Sequence, residues 1–167
     1  MSRLAIDGRI EGPADNSEPA PEPGDALAIR VATVLRAREP ITKAWDIQIE
    51  EVRRGYSRLR MLVRDDMLNG HATVHGGVIF TLADTAFAYA CNSTNVVTMA
   101  AQASIIFLSA AYPNEVLVAD AWELGSVARS GAYAVHVRTT DGRAVAEFQG
   151  FSRTAGGAVV DQVSGGD

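Results

Sequence analysis

Residues 71–92 read HATVHGGVIFTLADTAFAYACN, and the architecture turns on this stretch. From Gly76 onward it is apolar almost all round, the pattern of a buried helix rather than of a surface helix with one wet face. Asp84 is its one acidic residue. A lone carboxylate on a buried helix costs on the order of several kcal/mol unless it is paired, hydrogen-bonded or kept protonated. Helices seldom retain that cost for packing alone, which makes Asp84 a candidate catalytic group.

On the N-terminal side, residues 65–74 form a loop rich in Asn, Gly and His. It is preceded by two alternating runs, Trp45–Val52 and Tyr56–Val63, joined by a turn at Arg53–Gly55. Alternation on both sides of a short turn predicts a β-hairpin. Further upstream, Leu27, Val31, Val34 and Leu35 fall at helical spacing, predicting a short helix over residues 26–38 that Pro40 ends. On the C-terminal side four strand-like runs follow, Thr98–Leu108, Glu115–Leu124, Ala132–Thr139 and Ala144–Thr154. Turn signals separate them at Pro113-Asn114, Ser130-Gly131 and Asp141-Gly142.

Two strands, one long helix and then four strands make an α+β protein. The order fits one antiparallel sheet of about six strands wrapped around the helix, not a doubly wound fold, which needs strands and helices to alternate. A sheet covers only one side of a helix. A helix apolar nearly all round therefore predicts a homo-oligomer, with a second subunit covering the other side.

The 167 residues suffice for one domain with a sizeable core. Four of the six prolines fall within residues 1–25, which read as a flexible leader. The folded domain is expected over 26–157 and a flexible, Gly-rich tail over 158–167. A net charge of −5 argues against a nucleic-acid surface or a polybasic membrane patch. With one cysteine, Cys91, there is no disulfide framework and no cysteine-based zinc site. No apolar stretch reads as a membrane span or a signal peptide, so the expectation is a cytoplasmic protein.

Gly76-Gly77 open the helix directly after His75. Helix N-termini present unpaired N–H groups and the positive end of the dipole, which suits polarising a carbonyl and holding an oxyanion. Close helix–sheet packing accounts for the glycines equally well. Asp84 lies eight residues beyond Gly76, about 12 Å along the same helix. One acyl carbonyl cannot touch both. If they cooperate, Asp84 meets the Gly76 N–H of another chain, with the two helices side by side. Asn69 could donate to a carbonyl or orient a water, and His75 could do the same or act as a base. Turn chemistry for Asn69-Gly70 and a loop-pinning bond for His75 explain them as well. Phe80, Phe87 and Tyr89 read as core or as walls for an aromatic ring, and Cys91 as a packing residue. His71 and His136 show no spacing that suggests a metal.

The stretch Asp66–Ser93, DMLNGHATVHGGVIFTLADTAFAYACNS, resembles the hotdog-fold acyl-CoA thioesterases, and within them the PaaI type of phenylacetic acid degradation. The likeness extends from about Leu27 to Gly157, including Gly150 and Gly156-Gly157. It implies a sheet curled around one long helix, dimers joined sheet to sheet and often paired into tetramers, no cofactor, and sites shared between subunits. It implies further that Asp84 is nucleophile or general base and that Gly76 of the partner subunit polarises the thioester. Asn69 and His75 would position substrate or water; Gly77 and Phe80 are the candidate substrate contacts beside them. The substrate expected is an aryl- or phenylacetyl-CoA, including the hydroxyphenylacetyl class.

The chain departs from this pattern in two places. Ala100 and Ala101 stand where relatives often carry a Ser or Thr facing the acid, leaving Thr98 or Ser104 to substitute. Of the basic residues frequent near Gln149 and Phe151 only Arg153 remains close by, which leaves Arg129 and Arg153 as the candidate anchors for the CoA phosphates rather than residues the resemblance carries over. Two other readings compete. A hotdog hydratase needs a histidine near the acid, and none follows Asp84 before His136. A non-catalytic acyl-CoA binding module has no need of a buried acid.

Overall fold

The computed structural model describes residues 23–161. Most of the expected leader, 1–22, and the end of the expected tail, 162–167, lie outside the described residues. Helix α1 spans Pro23–Arg38, with Asp25 in its first turn and Arg36 and Arg38 in its last, both favourable to the helix dipole. It therefore begins inside the segment read as leader. Pro40 stops α1 as expected but also sits in the first turn of a short helix α2, Pro40–Ala44, where a missing N–H costs nothing. Trp45 caps α2, so strand β1 starts at Gln48 rather than Trp45.

Strands β1 (Gln48–Arg53) and β2 (Tyr56–Leu62) form the expected hairpin, and helix α3 runs Gly76–Asn92. Then follow β3 (Thr98–Phe107), β4 (Val116–Val127), β5 (Ser130–Thr139) and β6 (Ala144–Thr154). The six strands make one antiparallel sheet in the order β1-β2-β4-β5-β6-β3, with α3 packed against it. The Asp141-Gly142 turn closes β5–β6 as expected. Ser130-Gly131, read as a turn, instead opens β5. The reversal falls one step earlier, at Ala128-Arg129, where Ala128 takes φ 53°. The sequence signal misplaces this turn because alanine is an uncommon residue at positive φ.

The core lies between α3 and the inner face of the sheet. Leu59, Met61, Leu117, Ala119, Val135, Val137 and Phe148 face Leu82, Ala83, Ala86, Phe87 and Ala90 of the helix. A Cβ on Gly150 would stand 3.0 Å from the Phe87 ring, so only glycine lets the aromatic seat there. Ser57 donates 2.7 Å to the Ala86 carbonyl, and Ser93 accepts 2.8 Å from the Gly55 amide, tying hairpin to helix. Residues 158–161 correct the flexible-tail expectation. Val159 and Val160 are buried against Val31 of α1, and Asn95 bonds the backbone of both. A tail of Gly, Ala and Val carries little signal for this, because its partners lie far away in sequence.

On the outer face Asp120 gathers the Tyr56 hydroxyl (2.7 Å), Arg58 Nε (2.6 Å) and Arg138 (2.8 Å). Burial pushes its carboxyl up, but the bonds from Tyr56 and Arg58 and the charges of Arg58 and Arg138 outweigh that and hold it below the usual range. This contribution to stability is complete above the unfolded value of 3.8 and is lost as the pH falls through the lower folded value. Asp120→Ala is expected to cost about 2 kcal/mol at neutral pH, discounted from a fully buried pair because both guanidinium groups are partly wet. Denaturant midpoints at pH 7 and in strong acid check this, since the difference should shrink in acid.

Two features of the surface bear on function. Strand β3 is an edge of the sheet, and Met99, Ile106 and Phe107 on it are 61%, 66% and 51% exposed. On α3 the sheet buries one side. Gly77, Phe80, Thr81, Asp84 and Ala88, at helical spacing, form a stripe that is not fully buried.

Candidate active site

His75 is the N-cap of α3, in extended conformation, and its Nδ1 accepts from the Gly77 N–H at 2.9 Å. Its carbonyl accepts from Val78 (2.8 Å) and Ile79 (3.3 Å). Of the first amides of the helix, these bonds occupy those of Gly77, Val78 and Ile79. The Gly76 N–H has no hydrogen-bond partner among the described residues, and it sits at the positive end of the dipole. The cap thus sorts the glycine pair. Gly77 has its amide committed to His75, whereas Gly76 keeps a donor for a ligand oxygen. Because Nδ1 accepts, the imidazole proton sits on Nε2, on an exposed side chain, where it can donate but not act as a base.

Asn69 organises the loop before the cap. Its Oδ1 accepts from the amides of His71 (2.8 Å) and Thr73 (3.3 Å), and its Nδ2 donates 2.9 Å to the Thr73 hydroxyl. These bonds hold Ala72 at φ 56° and deliver His75 to its position, where the His75 amide donates to the Met67 carbonyl. Turn chemistry accounts for most of Asn69, leaving one amide N–H free in this loop.

Phe107, which spacing gives no reason to place at the site, reaches it from β3. A Cβ on Gly76 would stand 3.0 Å from its ring. The packing reading of Gly76 and the oxyanion reading are therefore both physically founded. A double variant separates them. Gly76→Ala is expected to lower turnover about 10²-fold by displacing the amide or crowding the ligand. If the donor matters, the loss persists when Phe107→Leu relieves the clash. Recovery in the double variant would mean packing alone.

Asp84 is half-buried on the open stripe of α3, and no described side chain or amide donates to it. Burial alone raises its carboxyl above the ordinary value. The sequence expectation of full burial is corrected for the single chain, because the sheet leaves this stripe uncovered. Tyr89, nearly fully buried, donates 3.2 Å to Glu39 Oε2, bringing a second carboxylate from the α1–α2 junction. Glu39 carries no motif signal, since its place depends on how α1 lies across α3. Cys91 is buried and its thiol is pushed up to about 12 by burial, which leaves no thiolate for attack.

The remaining candidates sort by contact. Phe80 meets Phe148 edge to face at 5.4 Å, yet stays half-buried on the Asp84 stripe, while Phe87 and Tyr89 are core. Arg129 donates through Nε and a terminal nitrogen to the Thr154 carbonyl. Arg153 is exposed on β6 without such a bond among the described residues. Thr98 spends its hydroxyl on the Val96 carbonyl, and Ser104 pairs with Gln149 on the face turned away from α3. Neither supplies a hydroxyl to Asp84 in this chain. His136 is on the outer face, 2.9 Å from Glu147 and edge-on to Trp122. It lies across the sheet from the helix, which leaves Asp84 without a histidine partner in its own chain.

Such a site offers a carboxylate with raised basicity and a free, dipole-backed N–H on one helix. Those are the two elements of acyl transfer: a base or nucleophile and an oxyanion donor. Comparison with known proteins gives the same chemistry. Residues 71–146 match the family model described as Thioesterase superfamily. The acyl-coenzyme A thioesterase PaaI of Escherichia coli K12 is 34% identical over 131 residues, 78% of this chain and 94% of that protein. The solved structure of the E. coli PaaI protein from the phenylacetic acid degradation operon superposes with a TM-score of 0.79, covering 80% of this chain and 97% of that one. A protein from Thermus thermophilus, 30% identical, superposes at 0.67 over 70% of this chain and 97% of its own.

Proposed function

Because this chain belongs to the hotdog-fold acyl-CoA thioesterases of the PaaI type, we propose that it hydrolyses aryl- and phenylacetyl-type CoA thioesters, hydroxyphenylacetyl-CoA among them, to free acid and CoA. The role that fits is clearing CoA esters from aromatic catabolism in the cytoplasm. The observation that carries this reading is Asp84: a carboxylate with raised basicity on the uncovered stripe of a helix whose N-terminal amide is free.

The site is completed by a second copy. Gly76 and Asp84 of one chain are about 12 Å apart along α3 and cannot act on one carbonyl. Edge strand β3 exposes apolar side chains, a surface that a monomer would need to protect. Pairing two β3 edges about a two-fold axis extends the sheet and sets two α3 helices antiparallel, uncovered stripe to uncovered stripe. Asp84 then faces Gly76 of the partner subunit. Dimers of this kind pair further into tetramers in our reading, and sedimentation gives the count.

In the reaction, the thioester oxygen accepts from the Gly76 N–H and gathers charge as the carbonyl carbon becomes tetrahedral. Asp84 either attacks that carbon, forming an anhydride that water then opens, or takes a proton from a water that attacks. The C–S bond breaks with its electron pair leaving on sulfur, and a thiolate needs no strong acid to depart. Single-turnover hydrolysis in isotopically labelled water reads the anhydride route where label appears in Asp84, which requires water to open the anhydride at the Asp84 carbonyl. The direct route puts label only into the product. Phe80 and Phe107 offer aromatic walls for the acyl group. Arg153, and Arg129 at the same end of the sheet, are the candidate CoA phosphate anchors; that end lies beside the Asn92 end of α3, where the antiparallel arrangement brings the partner's helix N-terminus.

Thiol release measured over a panel from acetyl- to phenylacetyl- and hydroxyphenylacetyl-CoA tests the reading. The arylacetyl esters are expected to exceed short aliphatic ones by about tenfold or more in kcat/KM. Equal rates would remove the aryl assignment, and no thiol release from any ester would remove the enzymatic one.

A further inference from the structure

The sheet order puts β3 at an edge and β4 in the interior, so the connection between them has to cross the ends of β6 and β5. That crossover, residues 108–115, lies in neither helix nor strand. Its course is therefore set by the bonds it makes to other segments. At its start the Leu108 and Ser109 amides donate to the Val145 carbonyl, and at its end Asn114 donates 3.0 Å to the Val63 carbonyl. In the middle the Ala111 carbonyl accepts 2.8 Å from the Val74 amide. Val74 stands directly before the cap His75 and two residues before Gly76. Phe107, which leads into the crossover, packs its ring where a Cβ on Gly76 would stand. The crossover thus bears on the free Gly76 N–H from two directions, through a backbone bond and through a ring.

One side chain ties the two ends of this segment together. Arg143, beside the Asp141-Gly142 turn, donates through Nη2 to both Glu115 oxygens, at 2.6 and 2.7 Å. Its Nη1 donates to the Ser109 hydroxyl at 3.0 Å and to the Ala110 carbonyl. Glu115 in turn accepts 2.9 Å from the Tyr112 amide. The planar fork of a guanidinium suits two sets of acceptors at once, which a lysine ammonium does not. The Arg143 and Glu115 side chains are 34% and 31% exposed. An ion pair that wet contributes little to stability, so folding alone is a weak reason for so many bonds on one group.

We propose that Arg143 is a positioning residue for thioester hydrolysis: by pinning residues 108–115 it fixes, through the Ala111–Val74 bond and the Phe107 ring, where the Gly76 N–H points. This rests on Gly76 being the oxyanion donor. A hydrogen bond weakens steeply as donor and acceptor lose alignment, and the charge it must meet appears only as the carbonyl becomes tetrahedral. Loosening the crossover therefore acts on the transition state more than on substrate binding. The backbone bonds to Val63 and Val145 remain without Arg143, so the chain keeps its fold while the Ala111 carbonyl gains freedom.

The test is how a loss divides between kcat and KM, and whether it depends on Gly76. Arg143→Ala is expected to lower kcat about thirtyfold and to leave KM within about threefold. Arg143→Lys, which keeps the charge but not the fork, should fall between the two, and Glu115→Gln should lower kcat by a smaller factor. In a Gly76→Ala background the donor is already displaced, so Arg143→Ala should cost no more than about a further threefold. A merely structural Arg143 would lower the denaturant midpoint and leave kcat of the folded enzyme where it is. Native kcat in Arg143→Ala and Glu115→Gln overturns the proposal, as does an equal loss in both backgrounds. Circular dichroism checks the fold, and Arg143→Lys carries the same coupling test if the alanine variant unfolds. Gly76→Ala with Phe107→Leu separates the two failures. Turnover restored there means that the donor reading has failed, whereas a dead double variant beside a native Arg143→Ala removes Arg143 alone.

Discussion

Asp84→Asn is expected to release CoA at no more than about a thousandth of the native rate, with the oligomer intact and the fold more stable. The amide keeps the shape of the carboxyl but can neither take a proton nor form the acyl anhydride, so both mechanistic routes close. The stability gain follows from the sign of the shift. Burial raises the Asp84 carboxyl, so its ionised form costs the folded state free energy at neutral pH. The cost is complete above the folded value, fades as the pH falls through it, and is gone below the unfolded value of 3.8. Thermal melts should therefore show the variant ahead by about 1 kcal/mol near pH 7 and level with the parent in strong acid. Turnover within tenfold of native would remove Asp84 from the mechanism.

Ile106→Lys is expected to turn the protein into a folded monomer with at least a hundredfold less activity. Ile106 lies on edge strand β3 and is 66% exposed, so lysine disturbs little within one chain. Pairing two such edges brings like charges together on a desolvated seam, the means by which natural edge strands resist association. Activity falls because Asp84 loses the Gly76 donor of the partner subunit, a loss of the size found on deleting an oxyanion donor. Sedimentation reads the assembly, circular dichroism the fold and thiol release the activity. A folded monomer with native turnover would show that one chain suffices. Mixing two inactive chains gives a second check. Asp84→Asn and Gly76→Ala, refolded together, should recover roughly a quarter of native activity, since half of the dimers are mixed and each carries one intact site.

Much of this is legible in the order of residues. The bounds of α3, Gly76–Asn92, follow from His75 and the glycine pair at one end and the end of the apolar run at the other. The strands of the sheet follow from alternation, which is a local property. The turn at Ala128 is not legible, because a forced positive φ at alanine leaves no mark in composition. Nor is the docking of Val159 and Val160, whose partner Val31 is more than a hundred residues away.

The site divides in the same way. Asp84 stands out because a charge on an apolar helix breaks a local pattern, and its distance from Gly76 follows from helix rise alone. The order of residues was enough for the fold class, the lone acid and the expectation of a second subunit. Which amide stays free emerged only on folding, because that depends on His75 taking the Gly77 N–H. Packing likewise left one stripe of α3 uncovered, and it brought Phe107 to Gly76 and Glu39 to Tyr89. Those contacts join segments separated by tens of residues, and they are set by how the sheet curls and how α1 crosses α3. Periodicity reports which face of an element is apolar; what meets that face is settled when the chain packs.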